Sequence, residues 1–227
     1  MVGIRAAAWL GLPTFEYALM RITEDGLVSY RDGSESKAGL AFVTRWEDGT
    51  PWGGAEEDLQ GVENPEAISG LVVLDTWLLN CDRFRKEPPR HNVRNVFLTT
   101  TQAGKGKYRV LAMDHTHCFS CGRELTPRLS NIGQVKQSQI HGNFPAFQGY
   151  ISGKAVATYL GRLGRLDRNT AESFVAGAPR EWEVSDETTD AIVAPMVDRA
   201  KYLADNCGRL LVEQGCLASE FDFEGKD

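Results

Sequence analysis

Apolar positions along this chain change their period several times, and each change marks an element. Between Pro65 and Asn80, the residues Ile68, Leu71, Val72, Leu74, Trp77, Leu78 and Leu79 cover most of a helical circumference, which predicts a helix buried inside a larger domain. Asn64 offers an N-cap, Pro65 the first helical position and Glu66 a carboxylate in the first turn. Asp75 sits among the apolar residues and reads as a solvated or capping carboxylate on the helix's exposed edge. Farther on, Arg94 to Thr100 and Lys107 to Met113 read as strands joined by a turn over Gln102 to Gly106. Antiparallel pairing of these strands places Asn95 at the hairpin's entrance and Asp114 at its exit, at one open end.

Weaker signals fill the remainder. Ile4 to Leu12 reads as a short Ala-rich helix ended by Gly11 and Pro13. Phe15 to Ile22 and Leu27 to Tyr30 read as a strand pair around Glu24-Asp25-Gly26, and Leu40 to Arg45 as another strand. Phe84 to Asn92, with Pro88-Pro89 at its centre, reads as a loop, and Phe119 to Ser152 has little periodicity. Lys154 to Gly164 then has helical spacing. Asn169 with Glu172 resembles a capping box for a helix through Ala176, and Ser185 opens a helical run expected to reset at Pro195 and end at Gly215. Residues 217–227 read as a tail, and no internal repeat is visible.

Composition narrows the class more than the function. With 227 residues, 42% hydrophobic and 25% charged, the chain has the make-up of a globular protein with a sizeable core. No apolar run approaches the ~18–20 residues of a bilayer span, and the first residues lack the pattern of a signal peptide, so a cytoplasmic protein without membrane attachment is expected. A net charge of −6 argues against a nucleic-acid-coating protein but leaves room for a small basic cleft. The five cysteines (Cys81, Cys118, Cys121, Cys207 and Cys216) are odd in number, and reduced thiols are the expected state.

The chemistry lies around the predicted hairpin. Phosphoryl transfer needs a carboxylate to position the attacking hydroxyl, and oxygen ligands to hold magnesium against the phosphates. In protein kinases the base Asp follows a helix, an Asn opens the next strand and a metal-binding Asp follows the strand after that. The order helix, Asp82, loop, Asn95, strand, strand, Asp114 is the same. The competing structural reading has Asn80 and Asp82 capping a helix end and Asp114 in a turn. The functional set is favoured because helix and hairpin bring its members together independently.

Other motifs are weaker. His115, His117, Cys118 and Cys121 suggest zinc, but tetrahedral zinc wants two separated ligand pairs, and only His141 stands at a distance on the C-terminal side. Gly104-Lys105-Gly106-Lys107 does not satisfy the phosphate-loop pattern and reads as a hairpin turn.

The segment Leu74 to Phe119 resembles the catalytic core of HipA-like kinases, which share a kinase-type lobe with the phosphatidylinositol kinases and show the pattern N-x-D-R-H-x-x-N, apolar strand, I-D-H. Ala6 to Pro13 and Gly39 to Phe42 also resemble family segments. The resemblance implies an α+β fold of the protein-kinase-like (HipA/PI-kinase) type: a remnant N-terminal lobe over 1–60, a catalytic lobe over 61–216 that is mostly helical after 153, and the tail. It implies Asp82 as catalytic base, Asn95 and Asp114 as magnesium ligands, Asn80 and Arg83 as supports of the catalytic loop, and ATP with Mg2+ as cofactors. A protein serine or threonine is the implied acceptor, and a partner chain is conceivable.

Two departures stand out. By the resemblance His91 corresponds to the motif histidine, but the Phe84 to Arg90 insertion expands the Asp-to-Asn interval and makes Asn92 a competitor of Asn95, which is preferred because the apolar strand follows it directly. Neither a Gly-rich phosphate loop nor a strand lysine paired with a helix glutamate is visible: no acidic residue precedes Glu16, and Lys37 is expected in a loop. A start placed too late, a lobe supplied by another chain, or a degenerate kinase acting as a silent binding or toxin–antitoxin-type regulatory module all fit this pattern.

Overall fold

The computed structural model describes residues 1–29, 32–120 and 134–218. The fold is mixed α+β, with small antiparallel sheets set against helices. At its centre lies α3 (Glu66–Leu78), in which every residue from Ala67 to Leu78 is buried. Its all-round apolar character has the consequence expected: α1 (Val2–Leu10), α4 (Gly153–Leu163), α6 (Asp186–Glu213) and strand β7 (Arg109–Ala112) all pack on it. Trp77 fills the gap towards α6 and donates its indole N–H to the Met196 carbonyl at 2.9 Å. No helix among the described residues is long and apolar enough to cross a membrane.

The predicted hairpin is present. Strand β6 (Val96–Thr99) pairs antiparallel with β7, Val96 opposite Ala112, and β3 (Gly49–Pro51) adds a third strand on the other side of β6. A separate two-stranded sheet stands at the front, where the pairing differs from expectation. Strand β1 (Tyr17–Ile22) pairs with β2 (Gly39–Thr44), not with Leu27 to Ser29, the described part of the expected strand. The turn chemistry of Glu24-Asp25-Gly26 is real and forms a 3-10 turn, but Ser29 makes only an isolated bridge, to Glu35. The longer β2 offers β1 six register partners instead.

Several helix boundaries are set by other side chains than the sequence suggested. Asn64 does not cap α3; its amide accepts from Val110 N at 2.8 Å and donates to Val110 O at 3.1 Å, stitching the helix entrance to β7. Asp167, not Asn169, caps α5 (Arg168–Val175) by accepting from Thr170 N at 2.7 Å. Ser152 caps α4; Ser185 caps α6, where the sequence opened that helical run, and α6 continues through Pro195 without the expected reset. Of the first sixty residues, α1, Trp52 and Leu59 belong to the same buried cluster as α3 and α6. Part of the predicted Leu27 to Tyr30 strand, and nearly all of the predicted tail, lie outside the described residues.

Asn64 is 2% exposed, so removing its amide strands two buried backbone groups of Val110. Each such loss costs about 1–3 kcal/mol. Asn64→Ala is expected to lower the unfolding free energy by about 2–4 kcal/mol, read from urea denaturation midpoints at unchanged slope.

Candidate functional site

Helix α3 stops at Leu79, whose left-handed backbone (φ 52°) turns the chain sharply into the loop that carries Asn80, Asp82 and Arg83. The direction of this loop is fixed from below. Asp75 is fully buried; its carboxylate accepts from Arg83 Nε at 2.6 Å and from Asn80 Nδ2 at 2.9 Å. The sequence placed Asp75 on an exposed edge, and the structure overturns that, because an ion pair with Arg83 supplies what water would have supplied. Burial pushes the Asp75 carboxyl up, and the guanidinium and amide pull against it. Arg83 Nη2 then donates to the Met113 carbonyl at 2.8 Å, tying the loop to the end of β7 beside Asp114. Asn80 and Arg83 are fully buried, so they position the loop and do not face a ligand.

Asp82 stands at the loop's outer side, 5% exposed. Its Oδ2 accepts from Asn95 Nδ2 at 2.9 Å and from Asn92 Nδ2 at 3.0 Å, so both asparagines weighed from sequence converge on it. Its Oδ1 accepts from Arg90 Nε at 2.8 Å and Nη2 at 2.6 Å. Burial pushes this carboxyl up, but the bonds from Arg90, Asn92 and Asn95 outweigh it and hold it below the ordinary carboxylate value. Arg90 was not anticipated. It reaches Asp82 because the predicted loop contains a small hairpin, β4 (Phe84–Arg85) with β5 (Arg90–His91), folded back over the loop. His91, matched by the resemblance to the motif histidine, is exposed and packs its ring edge-on against Phe84.

Asp114 leaves β7 with φ 50°, and its Oδ1 accepts from Thr116 Oγ1 at 2.6 Å. Thr116 Oγ1 lies 3.1 Å from His117 Nδ1, which in turn is 3.8 Å from Asp82 Oδ2. Thr116 and His117 therefore stand between the two aspartates. On the other side, Asp114 borders a cavity of about 670 Å3 between the front sheet and the β3–β6–β7 sheet. Phe15, Phe42, Trp46 and Phe97 give it aromatic walls, and Arg45 and Glu47 give it charges. Lys37, the sequence candidate for a phosphate contact, is exposed and away from this lining; Arg45, directly after β2, lines it, with its guanidinium paired to Glu16 at 2.9 Å. The signal for Arg45 lay in its place directly after an apolar strand, but a search for lysine passes over it.

Among the described residues no three His, Cys, Asp or Glu side chains come together. His141 is buried and His115 half-buried, the ring nitrogens of both are shielded from solvent and unpartnered, and Cys118 is buried. Cys121 lies outside the described residues. No family model, curated protein or solved structure matches this chain.

Replacing Asp75 by Leu leaves the Arg83 charge buried and alone, an arrangement that costs about 3–5 kcal/mol. Asp75→Leu is expected to show that loss in chemical denaturation, and to release the Met113–Asp114 segment to proteolysis. The buried imidazoles generate a pH dependence. Burial holds His115 down to about 3 and His141 to about 4, so both stay neutral in the fold. In the unfolded chain they protonate below about pH 6.5. Their contribution is therefore complete above that pH and is lost as pH falls from about 6.5 towards 4, and His141→Gln should flatten the slope in that window.

Proposed function

We propose that the chain is a HipA-like kinase domain that transfers the γ-phosphoryl group of ATP to a hydroxyl, with a protein serine or threonine as acceptor. The observation that carries this reading is the convergence of Asp82 and Asn95 in one hydrogen bond, with Thr116 and His117 between them and Asp114 at the mouth of an aromatic cavity. The cavity is of a size that suits a nucleotide, and its walls suit a purine face.

Asp82 is held ionised, the state needed to orient an acceptor hydroxyl. In the transfer, a bond forms between the acceptor oxygen and the γ-phosphorus while the bond from that phosphorus to the bridging oxygen breaks. The leaving diphosphate keeps the electron pair, and the hydroxyl proton passes to Asp82. Asn95 and Asp114 offer the hard oxygen ligands that suit magnesium: Asp114 borders the cavity, and Asn95 spends its amide N–H on Asp82, which leaves its oxygen as the group for a cation. A magnesium ion held there would neutralise charge on the phosphates. Arg45 borders the cavity and would take the role that a strand lysine has in kinases by exchanging its partner Glu16 for a phosphate.

A second reading keeps the nucleotide and drops the transfer. No lysine borders the cavity among the described residues, which favours a silent binding module of the toxin–antitoxin-regulatory type. Two variants separate the readings. Asp114→Ala is expected to weaken magnesium-dependent ATP binding by tenfold or more, read by calorimetry or by the fluorescence of Trp46. Asp82→Asn should keep that binding and lower phosphoryl transfer by about 10²–10⁴-fold. Native protein that binds no ATP with excess magnesium sinks both readings, and binding without transfer selects the second.

A further inference from the structure

The small hairpin over Asp82 has a charge and a position that the kinase reading leaves unexplained. Residues 84–94 carry Arg85, Lys86, Arg90 and Arg94 against one acid, Glu87, in a chain whose net charge is −6. Lys86, Arg90 and Arg94 are exposed. Among the described residues, the only carboxylate in an ion pair with any of these four cations is Asp82 itself. The hairpin's tip is held by backbone acceptors instead: Arg85 Nε donates to the Pro88 carbonyl at 2.9 Å, and Gln139 Nε2 to the Glu87 carbonyl at 3.0 Å. The result is a basic lip at the candidate base.

We propose that this lip selects acidic acceptor segments, with Arg90 as the residue that reads them. The inference rests on the kinase reading and names its substrate class: a hydroxyl flanked by aspartate or glutamate side chains.

The argument comes from the lone pairs of Asp82. An ionised carboxylate has about four acceptor sites, and here four N–H groups occupy them: two from Arg90, one from Asn92 and one from Asn95. An incoming hydroxyl finds no free site until a donor withdraws. Asn95 is buried, whereas the Arg90 side chain is 54% exposed and sits on a ribbon of only two residue pairs. Arg90 is the donor free to leave, and a guanidinium leaving one carboxylate is best received by another. A carboxylate beside the acceptor hydroxyl does this, and in the same exchange Oδ1 of Asp82 becomes available to the hydroxyl proton. An acceptor with basic flanks meets repulsion from the lip and leaves Arg90 on Asp82.

The test uses the full chain without nucleotide, so it does not depend on catalysis. Fluorescein-labelled serine peptides with glutamate flanks or with arginine flanks are titrated at low ionic strength and followed by anisotropy. The acidic peptide is expected to bind at least about tenfold tighter than the basic one, and Arg90→Glu to remove that preference. Arg165→Glu, on the far helical part, changes the net charge equally and should leave the preference intact. Arg90→Gln, which brings no like charge against Asp82, should lose it in part and keeps the test decisive if Arg90→Glu fails to fold. Equal binding of the two peptides, no binding of either, or equal losses in the Arg90 and Arg165 variants overturns the proposal. Charge-selective peptide binding by protein that fails the ATP titration removes the kinase reading and the acceptor role together, and leaves only a docking lip.

Discussion

The buried pair of Asp75 and Arg83 is the constraint on which the site's geometry depends. Two charges with no solvent exposure would be ruinous to the core unless each were answered, and their separation of 2.6 Å answers them. Replacing both with apolar side chains could make the domain no less stable, so the pair's value lies in direction. Asp75 belongs to α3, Arg83 to the following loop, and the Met113 carbonyl that Arg83 also reaches belongs to the end of β7. One guanidinium thus sets helix, loop and hairpin at fixed distances. Gly142 permits this: its φ is 74°, and a Cβ there would strike the Asp75 carboxylate. The chain passes over the pair where a side chain would have displaced it.

A second buried cation repeats the device at the same end of the helix, from the α6 side. Arg199, 2% exposed, donates from α6 to the carbonyls of Thr76, Gln134, Val135 and Gln137. Burial lowers its pKa to about 10, which leaves the side chain charged at neutral pH. Four carbonyl dipoles serve in place of a carboxylate. The last turn of α3 is therefore gripped twice, by Arg83 from the loop side and by Arg199 from α6. A left-handed residue such as Leu79 persists only where its surroundings are this strongly determined.

Periodicity made α3 and the β6–β7 hairpin legible, because burial on all sides and strict pairing leave plain patterns in single residues. The same two elements made Asp82, Asn95 and Asp114 legible as a group. What stayed hidden depended on partners distant in sequence. Asp75 looks solvated until Arg83 is seen to fold back on it. Asn64 looks like a cap until Val110 arrives beside it. The pairing of β1 was misread because a nearby turn signal favoured Leu27 to Tyr30, whereas β2 wins by length and by the stacking of Tyr17 on Phe42. The proline pair in the loop after Asp82 argued against strands, and β4–β5 consists of only two residue pairs.

The front sheet raises a different physical question. Five of the six residues of β1 are exposed, and Tyr17, Leu19 and Met20 are large and apolar. A two-stranded ribbon of this kind is marginal by itself in water, because neither face buries enough apolar area to offset ordering. Here it is anchored at few points: Arg21 pairs with Glu181, Trp182 donates to the Leu40 carbonyl at 3.0 Å, and Phe15 packs edge-on against Phe97. Of these, only the Phe15–Phe97 contact lines the aromatic cavity. A flat ligand between Phe42, Trp46 and Phe97 would add the apolar contact that the ribbon lacks. The cavity and the thinness of the sheet above it thus belong to one arrangement: the front ribbon is held at few points, over an aromatic pocket that Phe15, Phe42 and Phe97 line.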